Sequence, residues 1–120
     1  MSREIEQGKR AEDLALEWLL SCGFILKDRN WRCVHREIDL IMERGPFLHI
    51  VEVKSLRLPS VRAPFEQVDW RKRYNLIRAA RRYVVQKRVS KEVVFDIVSI
   101  TFDGEEYRLE YIPNAFLPIF

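Results

Sequence analysis

The spacing of hydrophobic residues along the chain predicts two helices and five strands. Apolar side chains recur at helical spacing over residues 4–22 and again over roughly 66–88. The other apolar segments are short, rich in β-branched and aromatic residues, and mostly bounded by glycine or proline, as is typical of strands. They cover residues 24–34, 37–42, 47–54, 93–102 and 107–112. The predicted order is therefore α-β-β-β-α-β-β.

This order predicts an α/β fold with a mixed central sheet and helices packed on it. The helix between the third and fourth strands is long enough for a right-handed crossover. A length of 120 residues, with 48% hydrophobic and 32% charged residues, is typical of a single globular domain spanning residues 1–120. No apolar run approaches the roughly 18 residues of a membrane span, and the N-terminus lacks an apolar signal core. We therefore expect a cytoplasmic protein with no membrane partner.

Charged residues interrupt the hairpin formed by the second and third strands. Asp39 lies in the middle of one strand, and Glu52 and Lys54 lie in the next. Because side chains alternate along a strand, Glu52 and Lys54 are expected on the same face. If Gly45 and Pro46 form a two-residue loop, Asp39 stands directly across from Glu52. A slip of one residue would move Asp39 to the other face.

Two opposed carboxylates predict a bound cation. Like charges across a strand pair repel, and burial of both needs a compensating positive charge. Mg²⁺, or Mn²⁺ in its place, suits the pair because Mg²⁺ uses one or two carboxylates together with waters and phosphates. Lys54 would then hold or activate a water. The alternative is a set of ion pairs, in which Lys54 neutralises Glu52 or Glu37 and Asp39 caps a turn.

Both helices offer further candidate residues. Glu12 borders the apolar stripe of the first helix, where it either reaches a cleft at the sheet edge or forms an exposed salt bridge. Residues 71–88 contain eight basic residues and no acidic one, which indicates a polyanionic partner such as nucleic acid. Lys72 and Gln67, near the helix start, are expected to face the site. Arginines on another side of the second helix form a row that either contacts phosphate or is simply solvated. They are Arg71, Arg78 and Arg82.

The remaining polar residues of the strands are interpreted as structural. His49 lies among apolar strand residues, and Asp96 either supports the metal site or is a satisfied structural acid, which we favour. Cys22 falls on the apolar face of the first helix and is predicted to be buried. The cysteines and histidines lack metal-ligand spacing, so zinc is not predicted.

Several short motifs together resemble one known family. They are Arg36-Glu37-Ile38-Asp39-Leu40-Ile41, Val51-Glu52-Val53-Lys54, Phe95-Asp96-Ile97-Val98, Asn114-Ala115-Phe116 and the helix around Ala11-Glu12. They resemble the small bacterial YraN-like family within the PD-(D/E)XK, restriction-endonuclease-like nuclease superfamily, over nearly the whole chain. Two positions depart from the family pattern, because Arg36 and Ala11 stand where the family usually has glycine.

The resemblance implies a restriction-endonuclease-like fold and a Mg²⁺-dependent endonuclease that hydrolyses phosphodiester bonds in branched or distorted DNA. Asp39 and Glu52 would be metal ligands, helped by the backbone carbonyl of Val53. Lys54 would orient or deprotonate the attacking water, and Glu12 would be a further acidic ligand. Junction-resolving relatives generally work as dimers, so a homodimer is one implied state.

Two other functions are compatible with the same residues. One is a non-catalytic nucleic-acid-binding module, for which binding should depend strongly on salt and need no metal. The other is a protein-interaction subunit whose acids are structural.

Overall fold

The computed structural model describes residues 2–34, 36–59 and 70–117. Within these ranges the predicted order of elements is confirmed. The helices are α1 (Arg3–Ser21) and α2 (Trp70–Lys87), and the strands are β1 (Ile25–Arg32), β2 (Glu37–Arg44), β3 (Phe47–Arg57), β4 (Glu92–Asp103) and β5 (Glu106–Ile112). The predicted helix start at residues 66–69 lies outside the described residues. β3 ends at Arg57 rather than at the predicted Lys54, because its parallel pairing with β4 continues to that residue.

The described strands form one mixed sheet in the order β1-β2-β3-β4-β5. β3 and β4 pair in parallel and the other neighbours are antiparallel. The predicted hairpin register is confirmed from Arg44 opposite Phe47 to Leu40 opposite Val51. Gly45 has a φ of +58°, a conformation that glycine adopts at little cost in a two-residue loop.

The two helices cover opposite faces of this sheet. Ile50 and Val51 are neighbours in β3, yet Ile50 packs in a cluster with α2 residues and Val51 in a cluster with α1 residues. A fully buried Leu, Ile or Val contributes about 1.5–3 kcal/mol, so these clusters hold β2 and β3 firmly in place. The buried residues that the helices contribute are Ala11, Ala15, Leu19, Leu76, Ile77, Ala79, Ala80 and Tyr83.

The prediction that Cys22 is buried was wrong. α1 ends at Ser21, and Cys22 is its exposed C-cap. The chain then turns at Gly23, whose φ is +89°, so Cys22 no longer follows the helical stripe. Both α1 and α2, the helices of the described ranges, lack the combination of length and apolar character that crossing a membrane requires.

Candidate functional site

The site lies where β2 and β3 separate. Their pairing ends at Leu40 and Val51, one step before Asp39 and Glu52 would face each other. Ile38 and Leu40 are two residues apart but pack on different faces, so the alternation of β2 is interrupted between them. Asp39 Oδ2 instead accepts a hydrogen bond of 2.8 Å from the backbone N–H of Val53. This hydrogen bond holds the Asp39 carboxylate against the backbone of β3, at the residue that follows Glu52.

Glu52 is almost fully buried, with 5% of its surface exposed, and two cations contact it. Arg36 Nη2 donates to both Glu52 oxygens at 2.8 Å. Lys54 Nζ lies 3.6 Å from Glu52 Oε1. Of the alternatives that the sequence left open, the pairing of Lys54 with Glu52 is therefore present, and Arg36 is a second partner.

Asp39 lies where negative charge is costly. Burial raises the pKa of its carboxyl well above the usual range, and the charges of Glu52 and Glu12 raise it further. The hydrogen bond from Val53 and the charge of Arg36 lower the same pKa but do not cancel the rise. This combination of burial and like charge favours either a proton or an additional cation at Asp39.

Glu12 reaches the same neighbourhood from α1. Its Oε1 accepts a hydrogen bond of 2.9 Å from Asn30 and lies 3.5 Å from Arg29 Nε. Asn30 has a φ of +52°, an uncommon conformation that interrupts the regular course of β1. Arg29 also contacts Asp13 at 2.6 Å, and these partners outweigh partial burial to raise its pKa. Glu12 is thus a salt-bridged residue whose charge also acts on Asp39.

A cleft of about 520 Å³ lies against Glu12. It is lined by residues from the first half of α1 and from β1 and β2, among them Lys9, Arg29 and Glu37. Both acidic and basic side chains therefore line this cleft, and Glu12 is the candidate site residue among them.

The start of α2 also touches the site. Arg36 Nη1 donates a hydrogen bond of 2.9 Å to the backbone carbonyl of Lys72, so Arg36 joins Glu52 to the first turn of α2. This contact involves the backbone of Lys72, so the expectation that the Lys72 side chain faces the site stays a prediction, while Gln67 lies outside the described residues. Arg78 and Arg82 are exposed and lie about 9 and 15 Å further along the helix axis. They form a basic surface apart from the carboxylates.

Two arginines of α2, Arg71 and Arg78, have guanidinium groups over aromatic rings. Arg71 lies 5.8 Å from the centre of the Trp70 ring, and Arg78 lies 5.5 Å from that of Tyr74. Such contacts orient a long side chain while leaving its charge accessible.

A second polar cluster is buried in the same sheet. Asp96 is 1% exposed, and its Oδ2 accepts a hydrogen bond of 2.7 Å from the Tyr111 hydroxyl. The same oxygen lies 2.6 Å from His49 Nδ1, and Oδ1 accepts from the Asn114 N–H at 3.0 Å. Burial and the bond to Asp96 raise the pKa of Tyr111. This environment is that of a satisfied structural acid, the role we favoured for Asp96.

Comparison with known proteins places the chain in a family. The model of uncharacterised protein family UPF0102 matches residues 11–100. This chain belongs to the UPF0102 family.

Similar UPF0102 proteins occur in distant bacteria. One from Dictyoglomus turgidum is 41% identical over 114 residues, which are 92% of this chain and 97% of the relative. One from Bacteroides thetaiotaomicron is 33% identical over 118 residues, 98% of each chain. One from Stutzerimonas stutzeri is 39% identical over 118 residues, 97% of this chain and 98% of the relative.

Sequence reasoning did not assign a role to several residues that line the site of this UPF0102 chain. Arg36 stands where the resembled family usually has glycine. This departure beside the Asp39 motif was the signal in the sequence that could have pointed to a role for Arg36. Arg29 and Asn30 contact Glu12 only because α1 packs against β1. No local pattern in the sequence indicates that packing.

The carboxylates fit a divalent cation in part. Within residues 2–34, 36–59 and 70–117, no group of three or more His, Cys, Asp or Glu side chains is arranged to hold a metal. Mg²⁺, however, needs one or two carboxylates with waters completing its six ligands. Asp39 and Glu52 offer that donor set, and the pKa of Asp39, raised by burial and by the charge of Glu52, is in keeping with a further cation there. The fit requires Glu52 oxygens that Arg36 now occupies.

Proposed function

We propose that this UPF0102 chain is a metal-dependent nuclease with a restriction-endonuclease-like fold. In this proposal it hydrolyses phosphodiester bonds as an endonuclease, with branched or distorted DNA as substrate. The observation that carries the proposal is the partly buried Asp39, with its raised pKa, beside the buried Glu52 where β2 and β3 separate, with Lys54 next to Glu52. Groups with perturbed pKa values are found preferentially at functional sites. The resemblance of the strand motifs to PD-(D/E)XK nucleases supports the same reading.

In this proposal Asp39 and Glu52 hold Mg²⁺ or Mn²⁺, with the carbonyl of Val53 as a further ligand. A bound divalent cation would polarise the phosphate and lower the pKa of a bound water. Lys54 Nζ lies 3.6 Å from Glu52 Oε1, next to the oxygens that would hold the metal. In this proposal Lys54 orients or deprotonates the attacking water.

The substrate would reach the site along the basic side of α2. The exposed arginines of this helix and the placement of Lys72 beside Arg36 support a path for a phosphate backbone. A row of positive charge attracts nucleic acid over several ångströms and positions it without reading its sequence. Glu12, on the opposite side of Asp39, is available as an additional acidic group.

Cleavage assays on flaps, four-way junctions and single strands, with Mg²⁺ or Mn²⁺, test the proposal. Asp39→Asn, Glu52→Gln and Lys54→Met should each reduce the cleavage rate by about 10²–10³-fold, as expected for groups that stabilise transition-state charge. Glu43→Gln is the matched control, because Glu43 lies in the same hairpin and pairs with Lys91. Circular dichroism shows whether each variant is folded. Undiminished cleavage by all three variants would contradict the proposal.

A second candidate function is nucleic-acid binding without catalysis. Arg36 and Lys54 already pair with Glu52, so the charge of this carboxylate is compensated without a metal. This function predicts binding that is independent of metal and steeply dependent on salt. Arg78→Gln and Arg82→Gln should each reduce the slope of log affinity against log salt by about 1. Binding that is indifferent to salt would exclude it.

A further inference from the structure

Arg36 occupies the place of a cation at Glu52. Its Nη2 donates to both carboxylate oxygens, and the two side chains are 17% and 6% exposed. Its Nη1 donates to the carbonyl of Lys72. The guanidinium is therefore held on one side by β3 and on the other by the first turn of α2.

Arg36 and a divalent cation at Glu52 exclude each other. Mg²⁺ binds carboxylate oxygens at about 2.0–2.1 Å and holds a rigid octahedral shell around itself. The guanidinium already lies 2.8 Å from both oxygens, and Lys54 lies near one of them. Cations this close repel strongly in a buried site, where water screens them poorly. A metal ligated by Glu52 must therefore displace the guanidinium.

We propose that Arg36 is a built-in counter-ion of Glu52 that divalent metal must displace, and that its displacement releases the first turn of α2. The proposal rests on the metal site of the proposed function and adds a regulator to it. Arg36 bridges Glu52 and the backbone carbonyl of Lys72. Metal binding at Glu52 is therefore thermodynamically linked to the loss of the hydrogen bond that holds the first turn of α2. When no metal is bound, Arg36 is the counter-ion of Glu52, and the affinity for metal is lowered by the cost of displacing it.

Binding of Mn²⁺, followed by the electron paramagnetic resonance signal of the free ion, tests the proposal. Arg36→Gln removes the charge but keeps a polar side chain, and it should bind Mn²⁺ at least about 10-fold more tightly than the wild type. Arg36→Lys keeps the charge and should stay close to the wild type. Arg32→Gln is the matched control, because Arg32 forms an exposed pair with Glu37, and it should change the affinity by less than about twofold.

The wild-type chain provides a second measurement that does not depend on a variant. In a Mg²⁺ titration followed by backbone amide NMR, the signals of Val53 and of the first turn of α2 should shift with the same midpoint. Shifts at Val53 without shifts in α2 would overturn the proposed release.

The outcomes separate this inference from the proposed function. Equal Mn²⁺ affinity of Arg36→Gln and wild type, with binding abolished by Glu52→Gln, would overturn the role of Arg36 and leave the metal site standing. Tighter binding by Arg36→Gln that survives the further change Glu52→Gln would also overturn it, because the metal would then lie elsewhere. No Mn²⁺ binding by any variant, together with no cleavage, would remove the metal site and the inference with it.

Discussion

Asp39, which is partly buried, and Asp96, which is fully buried, are acids of one sheet whose surroundings differ. Asp96 is surrounded by three groups that can donate to its oxygens, from Tyr111, Asn114 and His49. Within the described part of the chain, the hydrogen bond to Asp39 comes from Val53, and the Glu52 carboxylate lies nearby. The first arrangement stabilises a negative charge, whereas the second makes it costly. An acid whose oxygens are hydrogen-bonded serves the stability of the fold. An acid that lies beside another negative charge marks a candidate functional site.

The difference follows from their positions in the sheet. Asp96 lies opposite Val51 in the middle of the parallel pairing of β3 and β4, where the chain after β5 returns to contact it. Asp39 lies just beyond the last pair of the β2–β3 ladder, where the two strands separate. The pairing around Asp96 continues on both sides of it, whereas the β2–β3 pairing stops before Asp39, where the Val53 N–H bonds to the side chain instead.

The largest expected effect comes from removing Asp96, the acid whose oxygens are hydrogen-bonded. Asp96→Ala leaves the Tyr111 hydroxyl and the Asn114 N–H without their acceptor, and each unsatisfied buried group costs about 1–3 kcal/mol. We expect a loss of about 3–5 kcal/mol in the free energy of unfolding, measured with urea. Asp103→Ala, at the exposed end of β4, is the control and should change it little. A loss below about 1 kcal/mol for Asp96→Ala would mean that the two acids do not differ as described.

Asp39→Asn should have the opposite sign. The amide keeps an acceptor for Val53 and removes a charge that burial and Glu52 disfavour. At neutral pH and without metal we expect a gain of about 1–3 kcal/mol in unfolding free energy, on the order of that seen when buried charges are replaced. Urea unfolding measures it. A stability loss would show that the ionised carboxylate is satisfied after all.

The pH dependence of the same variant sharpens the test. Because the pKa of Asp39 is raised on folding, the folded state binds more protons between the ordinary carboxyl pKa and the raised one. Wild-type stability should therefore fall as pH rises through this window, and Asp39→Asn should remove that fall. The advantage of the variant should vanish near pH 3, where both states are protonated.

Glu43 is a control of opposite sign for this titration. The hydrogen bond from Lys91 lowers its pKa, so its contribution to stability is present at neutral pH and is lost on acidification. Glu43→Gln should therefore lower stability slightly at neutral pH. A gain in stability of Glu43→Gln at neutral pH would indicate that negative charge is unfavourable throughout this hairpin and not only at Asp39.

The smallest expected effect comes from Tyr111, which donates one of the hydrogen bonds to Asp96. Tyr111→Phe removes one donor to Asp96, which keeps the Asn114 N–H and His49. We expect a loss of about 1 kcal/mol in unfolding free energy, the usual net value of one hydrogen bond. Tyr107→Phe, on an exposed position of β5, should leave stability unchanged. Equal effects at both positions would mean that the bond to Asp96 contributes nothing specific.

Much of the fold and part of the site were predictable from the sequence. Helical and strand periodicities indicated every described element in order, and the Gly45-Pro46 loop indicated the hairpin register. That register holds as far as Leu40 and Val51, one step short of the predicted pair of Asp39 with Glu52, and Asp39 bonds to the Val53 N–H instead. These features depend on residues close in sequence, and alternation along a strand follows directly from backbone geometry.

Tertiary structure alone decided which charges meet. Arg36 contacts Glu52 and the start of α2, and Asn30 contacts Glu12, because strands and helices distant in sequence pack against each other. The reach of a long side chain depends on the exact path of the chain around it, which a periodic pattern does not encode. The sequence by itself thus determined where the acids stand in the sheet. Packing determined that one acid is neutralised by an arginine and the other is left with a raised pKa.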